Sequence, residues 1–174
     1  MEALKAPFPL AEIRWRVGFR NSNNTRGSAL AYVDARTVME RLDEVLGTDG
    51  WASEITPISS GDGFVGAKCR LTLFLEAGEV WREDFGAVPE SGQEPLKSAA
   101  SDAFKRAAVQ FGIGRYLYEL PTTWVDLDAD GRMRETPELP DWALPESERT
   151  SEPEPERAPA RTRRSATPRA RWRD

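Results

Sequence analysis

The spacing of apolar and polar positions changes several times along the chain, and each change marks an element. From Ile13 to Arg20, Ile13, Trp15, Val17 and Phe19 alternate with Arg14, Arg16 and Arg20. That period of two predicts a short strand with one apolar and one cationic face. A polar turn or loop, NSNNTRG, follows, and then a short apolar strand from Ala29 to Val33. Asp34 stands at the N-cap of a helix reaching about Leu46, with Val38, Leu42, Val45 and Leu46 as its core stripe. From Trp51 the period returns to two. Strands are predicted over Trp51 to Ile58, Phe64 to Glu76 and Val80 to Val88, joined by turns at residues 59–63 and at Ala77-Gly78. In the long strand Val65, Ala67, Cys69, Leu71, Leu73 and Leu75 point one way. Phe64, Lys68, Arg70, Thr72 and Phe74 point the other, so one face is core and the other is half-exposed, basic and aromatic.

The stretch from Gln93 to Tyr118 then reads as one long amphipathic helix stopped by Gly112 and Gly114. Leu96, Ala99, Ala100, Ala103, Phe104, Ala107, Ala108 and Phe111 recur at helical spacing. The opposite face carries Lys97, Ser101, Lys105 and Arg106. A face this rich in alanine lets the helix approach a sheet closely, leaving the basic side for an anion or for water. Trp124 to Leu127 is predicted to return as a final short element. The pattern as a whole predicts an α+β chain, a sheet of hairpin-linked strands packed on a helix.

Composition divides the 174 residues in two. Residues 1–142 are long enough to bury a core as one domain. Residues 143–174 are acidic and Pro-rich first and Arg-rich last, with too few aliphatics to fold, and are expected to form a disordered tail. The arginines of that tail are equally suited to sequence-independent contact with nucleic acid and to folding back on the acidic block. Cys69 is the single cysteine and reads as a small buried hydrophobe. With no membrane-length apolar run and no signal-like segment, a cytoplasmic chain without a membrane partner is expected.

Charge and chemistry narrow the function. With 24 basic against 29 acidic residues the net charge is −5, which argues mildly against nucleic acid unless the cations cluster locally. The absence of histidine removes Ser/His/Asp and Cys/His catalysis and His-containing zinc sites. The DLDADG run places Asp126, Asp128 and Asp130 at alternate positions, but the twelfth position of a calcium loop is Pro137 instead of glutamate, so Asp130-Gly131 reads as a turn. Glu79, Glu83 and Asp84 have no spacing that separates a metal-dependent nuclease from ordinary solvated acids. There is no phosphate-binding GxxxxGK[ST] loop, and Gly61, Gly63 and Gly66 precede no helix as a dinucleotide site requires. The expectation is a protein without catalysis, metal or cofactor.

What remains is the basic set: Arg14, Arg16 and Arg20, then Lys68 and Arg70, then Lys97, Lys105 and Arg106. Cations lined along a groove bind phosphate through counterion release without reading sequence. Trp15, Phe19, Phe64 or Tyr116 could stack bases beside them. A solvated basic surface is the competing explanation of the same residues.

Two runs add to this reading: SDAFKRAAVQFG, Ser101 to Gly112, and YVDARTVMERLDEVLGTDGW, Tyr32 to Trp51. Together they resemble the Rad52-like single-strand annealing superfamily over roughly Ile13 to Trp142, with the Lys-Arg helix followed by Phe-Gly as the most specific part. The resemblance implies a β-β-β-α core that assembles into a homo-oligomeric ring, with single-stranded DNA in a basic groove between sheet and helix. It assigns Lys105 and Arg106 to the helix pair that holds the DNA backbone, and Arg16 to an arginine of the N-terminal strand. Arg14, Lys97, Lys68 and Arg70 are supporting candidates. The family's next helix cation, one turn on, is Val109 here. That replacement, and the bacterial members the chain resembles within the superfamily, imply binding and protection of 3′ single-stranded ends in a nucleoid-associated setting of DNA damage. Strand annealing or recombination mediation is the alternative.

Overall fold

The computed structural model describes residues 1–61, 63–87 and 94–150, without the side chain of Phe64. The described elements run α1 (Glu2–Lys5), β1 (Arg14–Arg20), β2 (Arg26–Tyr32), α2 (Ala35–Leu46), β3 (Trp51–Ser60), β4 (Gly63–Leu75), β5 (Gly78–Ala87), α3 (Pro95–Gln110) and β6 (Thr123–Asp126). Short 3₁₀ turns lie between and after them. Two antiparallel three-stranded sheets result, in the orders β1-β2-β6 and β3-β4-β5. The mixed α+β expectation therefore holds, and the N-terminal strand belongs to a sheet of its own with β2 and the late strand β6.

The second sheet follows the alternation closely. Ala67, Cys69, Leu71 and Leu73 are fully buried beneath α3, whose Ala99, Ala103, Phe104, Ala107 and Ala108 meet them. Small side chains on both layers allow close contact. It is tightest at Gly86, where an added Cβ would run into the Ala99 carbonyl oxygen and lie 2.6 Å from the Ala103 nitrogen. Val65, read as a core position, is 47% exposed instead, because it lies toward the hairpin end of β4 and outside the buried stretch Ala67–Leu73. Burial pushes the Cys69 thiol up to about 11, so it behaves as an inert core residue.

The helix is shorter than its amphipathic pattern. α3 spans 16 residues and ends at Gln110, and the chain then reverses through Gly112 (φ +99°) and Gly114 (φ +65°), both left-handed. Arg115 turns back to close the end, donating from Nε to the Val109 carbonyl (2.9 Å) and from Nη2 to the Gln110 carbonyl (2.7 Å). Phe111, Ile113 and Leu117 continue the apolar pattern into the core from a turn and a 3₁₀ segment, so the face outlasts the helix. Gln93 and Val88 lie outside the described residues.

Packing continues past residue 142. Ala143 and Leu144 are buried, Leu139 joins them, and the Glu148 carboxylate accepts from the Leu10 N–H at 2.9 Å. Proline-set extended backbone lets these few apolar residues reach the core despite their polar neighbours. Of the expected tail, residues 151–174, including the Arg-rich end, lie outside the described residues. At the other terminus Arg41 of α2 covers the Phe8 ring at 4.2 Å and donates to the Ala6 carbonyl at 2.8 Å. A cation on α2 is thus spent on tying down the N-terminal segment. No helix among the described residues is long and apolar enough to cross a membrane.

Candidate nucleic-acid interface

Between α3 and the β1-β2 sheet runs a groove of about 720 Å³. One wall is the polar face of α3, with Ser98, Ser101, Asp102, Lys105, Arg106 and Val109; the other includes Arg16, Leu30 and Tyr32, and Tyr118 stands at the rim. The β1-β2 register places Arg16 opposite Leu30 and Arg14 opposite Tyr32, which sets the strand cations on the same side as these apolar partners.

The three residues of greatest interest differ in how they are satisfied. Lys105 is half-buried, its Nζ 5.2 Å from the centre of the Tyr32 ring. Neither Lys105 nor Arg16 makes an ion pair within 4.0 Å among the described residues. Burial holds the Lys105 ammonium below the ordinary lysine value; Asp102 and Asp34 oppose that shift, and the nearby Arg16 adds to it. A half-buried cation beside a second cation, in an open groove, would be stabilised by an anion. Arg106 is already engaged, its Nε 3.1 Å from Asp84 Oδ1 on β5, and that hydrogen bond raises its pKa further. Burial works to raise the Asp84 carboxyl, but donors from the Phe85 N–H, Gln110 and Arg106 together hold it below its usual value.

The remaining candidates lie apart. Arg14 is beside the groove, with Nε 3.9 Å from Asp34. Lys97 does not line it and pairs with Glu94 at 2.8 Å. Lys68 and Arg70 point away from α3, on the outer face of the second sheet, where both donate to Glu83 Oε1 (3.1 and 2.8 Å) and Arg70 stacks on Trp81 at 4.7 Å. The Lys68 hydrogen bond first, then that of Arg70, lowers the Glu83 pKa. Sequence alternation placed them on a basic face, but only the packing of α3 decides which face borders the groove. Arg20 is diverted as well. A bulge between Val17 and Arg20 breaks the alternation, leaving Phe19 83% exposed and Arg20 Nη2 on the Gly131 carbonyl at 3.2 Å.

Among the aromatic candidates Trp15 lines the groove, whereas the Tyr116 hydroxyl is taken up by the Phe8 N–H at 2.9 Å. The side chain of Phe64 lies outside the described residues. Tyr32 and Tyr118 are the aromatic groups that the pattern alone did not single out. Tyr32 ends β2, whose sequence RGSALAY shows no alternation of apolar and polar positions, and Tyr118, 71% exposed, follows the reversal at Gly114, which no periodicity reveals.

The acidic residues of β5 and of the DLDADG run are dispersed. Glu83 and Asp84 are consecutive on β5 and face opposite sides of the sheet, and Asp128 Oδ1 accepts from the Asp130 and Arg132 N–H groups of its own turn. Among the described residues no group of three or more His, Cys, Asp or Glu is gathered that could hold a metal ion.

Residues 1–135 match the model of the Rad52/22 family double-strand break repair protein. The chain belongs to the Rad52/22 family. Among its relatives in that family, the single-stranded DNA-binding protein DdrA of Deinococcus radiodurans is 48% identical over 149 residues, covering 84% of this chain and 68% of that protein. The DdrA protein of Deinococcus deserti is 46% identical over 148 residues, covering 84% and 71%. The chloroplastic DNA repair RAD52-like protein 2 of Arabidopsis thaliana is 38% identical over 73 residues, 40% of this chain and 37% of that one. Within this Rad52/22 domain Val109 lines the groove one turn beyond Arg106, an apolar side chain at the helix position where the resemblance implied a cation.

Proposed function

We propose that this chain is a non-catalytic single-stranded DNA-binding protein that holds the strand's phosphates in the α3–β2 groove and shields 3′ ends during repair of damaged DNA in the nucleoid. The observation that carries the reading is the convergence of Arg16 and Lys105 on one groove without an ion-pair partner among the described residues. The names of the deinococcal relatives support the ligand class. The groove supplies few cations, so a homo-oligomeric ring that repeats it along one strand would gain by effective concentration. The outer face of the second sheet supports association between copies, because Phe74, Trp81 and Phe85 share it with 47%, 48% and 59% exposure and no described element covers it. A bound ring then blocks exonucleases by occupying the end.

The test is digestion of 3′-tailed and 5′-tailed duplexes by exonucleases of matching polarity, with the native mass of each complex measured in parallel. The expected result is an oligomeric complex that slows digestion of the 3′ tail more than the 5′ tail. Equal protection of both ends would reduce the reading to general single-strand binding. Rapid pairing of complementary strands coated with the protein would favour annealing as the activity.

The state of Lys105 makes a second expectation. Phosphate beside Lys105 stabilises the ammonium, so at pH values above the lowered free-state pKa binding must take up a proton. Affinity therefore falls as pH rises through the alkaline range below the ordinary 10.5. Anisotropy titrations of a labelled oligonucleotide are expected to show this loss for the wild type and not for Lys105→Arg, whose guanidinium stays charged. A pH profile identical in the two proteins would remove Lys105 from the phosphate site.

A further inference from the structure

Arg106 reaches the groove from α3 already paired with a carboxylate on another element. Asp84 lies on β5 and faces the helix. Its Oδ1 meets Arg106 Nε at 3.1 Å and accepts the Phe85 N–H at 2.7 Å, while its Oδ2 accepts from Gln110 Nε2 at 3.1 Å. Gln110 is itself held by donation to the Glu83 carbonyl at 2.8 Å. The carboxylate is thus fixed by donors from two elements and is 23% exposed, whereas the Arg106 side chain is 48% exposed. Of the two partners Arg106 is therefore the more exposed and the less constrained.

We propose that Asp84 is a built-in counter-charge that competes with DNA phosphate for Arg106 and so sets the groove's affinity below what its cations alone would give. The proposal rests on the groove reading above and deepens it. Its physical basis is a sum of charges. Lys105 and Arg16 offer whole positive charges, but the field of Arg106 at the groove is largely cancelled by a carboxylate at contact distance, where screening by salt is least. Phosphate at Arg106 must then be attracted in the presence of Asp84, because the Nε contact leaves both Nη atoms available yet the Coulomb attraction is shared. Such a site holds a strand firmly only when many protomers act together, and it releases single phosphates easily. The acidic group therefore acts through Arg106, as a positioning and tuning residue for the same ligand.

Asp84→Asn retains an oxygen to accept from Arg106 Nε while removing the charge; Gln110 keeps its bond to the Glu83 carbonyl and loses only the contact with the second carboxylate oxygen. Four full-length proteins are compared: wild type, D84N, R106Q and D84N/R106Q. Affinity for a poly-dT oligonucleotide is measured over a series of salt concentrations, with native mass and melting point checked for each. D84N is expected to bind about three- to tenfold more tightly at low salt, with a salt slope steeper by up to about 0.7, the value of one further single-strand phosphate contact. R106Q is expected to bind more weakly than wild type, and D84N/R106Q to show little of the gain. Unchanged or weaker binding by D84N, while R106Q still weakens it, overturns the counter-charge and leaves the groove standing. So does a gain that persists in full without Arg106, which would be a general charge effect. If R106Q binds as the wild type does, the groove reading itself fails at Arg106, and the counter-charge fails with it.

Discussion

Replacing Lys105 and Arg106 together by alanine is expected to abolish measurable binding of single-stranded DNA while the native mass of the protein is preserved. Charge-assisted hydrogen bonds contribute about 1.5–3 kcal/mol each, so losing both from one groove weakens it by roughly 3–6 kcal/mol, a hundredfold or more. Repetition over several copies makes the loss larger for a long oligonucleotide. The residual affinity should also depend less on salt, its slope flattened by about 0.7 for Lys105 and by up to about 1.4 in all, according to how much of the Arg106 charge Asp84 leaves to the strand. The substitutions differ in their effect on the fold. Lys105 lies half-buried with its ammonium disfavoured by burial, so its native pKa is below that of the unfolded chain. In that situation stability rises with pH between the two values, and at neutral pH the charged side chain works against folding. Lys105→Ala alone should therefore melt no lower than wild type. Arg106→Ala leaves Asp84 without its cation and should melt slightly lower. Binding that survives in the double variant, with the salt slope unchanged, would place the DNA on another surface.

Gly86→Ala is expected to be the most damaging small substitution in the described core. Its Cβ would meet the backbone of α3 at the Ala99 carbonyl and the Ala103 nitrogen, and backbone in a helix cannot step aside as a flexible side chain can. The helix must lift from the sheet over Cys69 and Ala67, opening voids on either side of the new methyl group. Overpacking of this kind costs about 3 kcal/mol, which for a domain of this size lowers the melting temperature by roughly 10 °C. DNA affinity should fall with it, since Lys105 and Arg106 ride on the displaced helix. Gly63→Ala serves as the control, because its added Cβ would meet only the Ser60 carbonyl oxygen at an ordinary 3.7 Å. Thermal unfolding followed by circular dichroism checks both, and equal melting temperatures would show that α3 can shift without penalty.

The two variants expose one design. The alanine face of α3 and the small residues of β4 and β5 draw the layers together, and that closeness holds the helix's polar face toward the β1-β2 sheet. Packing precision on one side of α3 is converted into cation placement on the other. Asp84 spans the seam, since it sits on β5 and holds Arg106 and Gln110, one turn apart on α3. Any change that alters the sheet–helix contact therefore alters the groove.

Local patterning alone was enough for most of the elements. The period of two through β4 places Ala67, Cys69, Leu71 and Leu73 on one buried face, because a strand's side chains alternate whatever surrounds it. The helical period places Ala99, Ala103, Ala107 and Ala108 on one stripe for the same reason, and Lys105 and Arg106 are then forced to the other side. The runs Ser101–Gly112 and Tyr32–Trp51 likewise carried the resemblance to the family without any coordinates. Tertiary structure decided what periodicity does not encode. It ended α3 at Gln110 through left-handed glycines, sent β1 to a separate sheet with β2 and β6, and bulged that strand so that Arg20 left its row. It also sorted the cations. Lys68 and Arg70 fell on the face away from α3 and found Glu83, Arg106 found Asp84, and Lys105 and Arg16 were left facing each other across an open groove. A single chain segment carries its own hydrogen-bonding period, so strands and helices are readable one at a time. Which charges meet, and which are left without a partner, depends on segments far apart in sequence, and only packing brings those together.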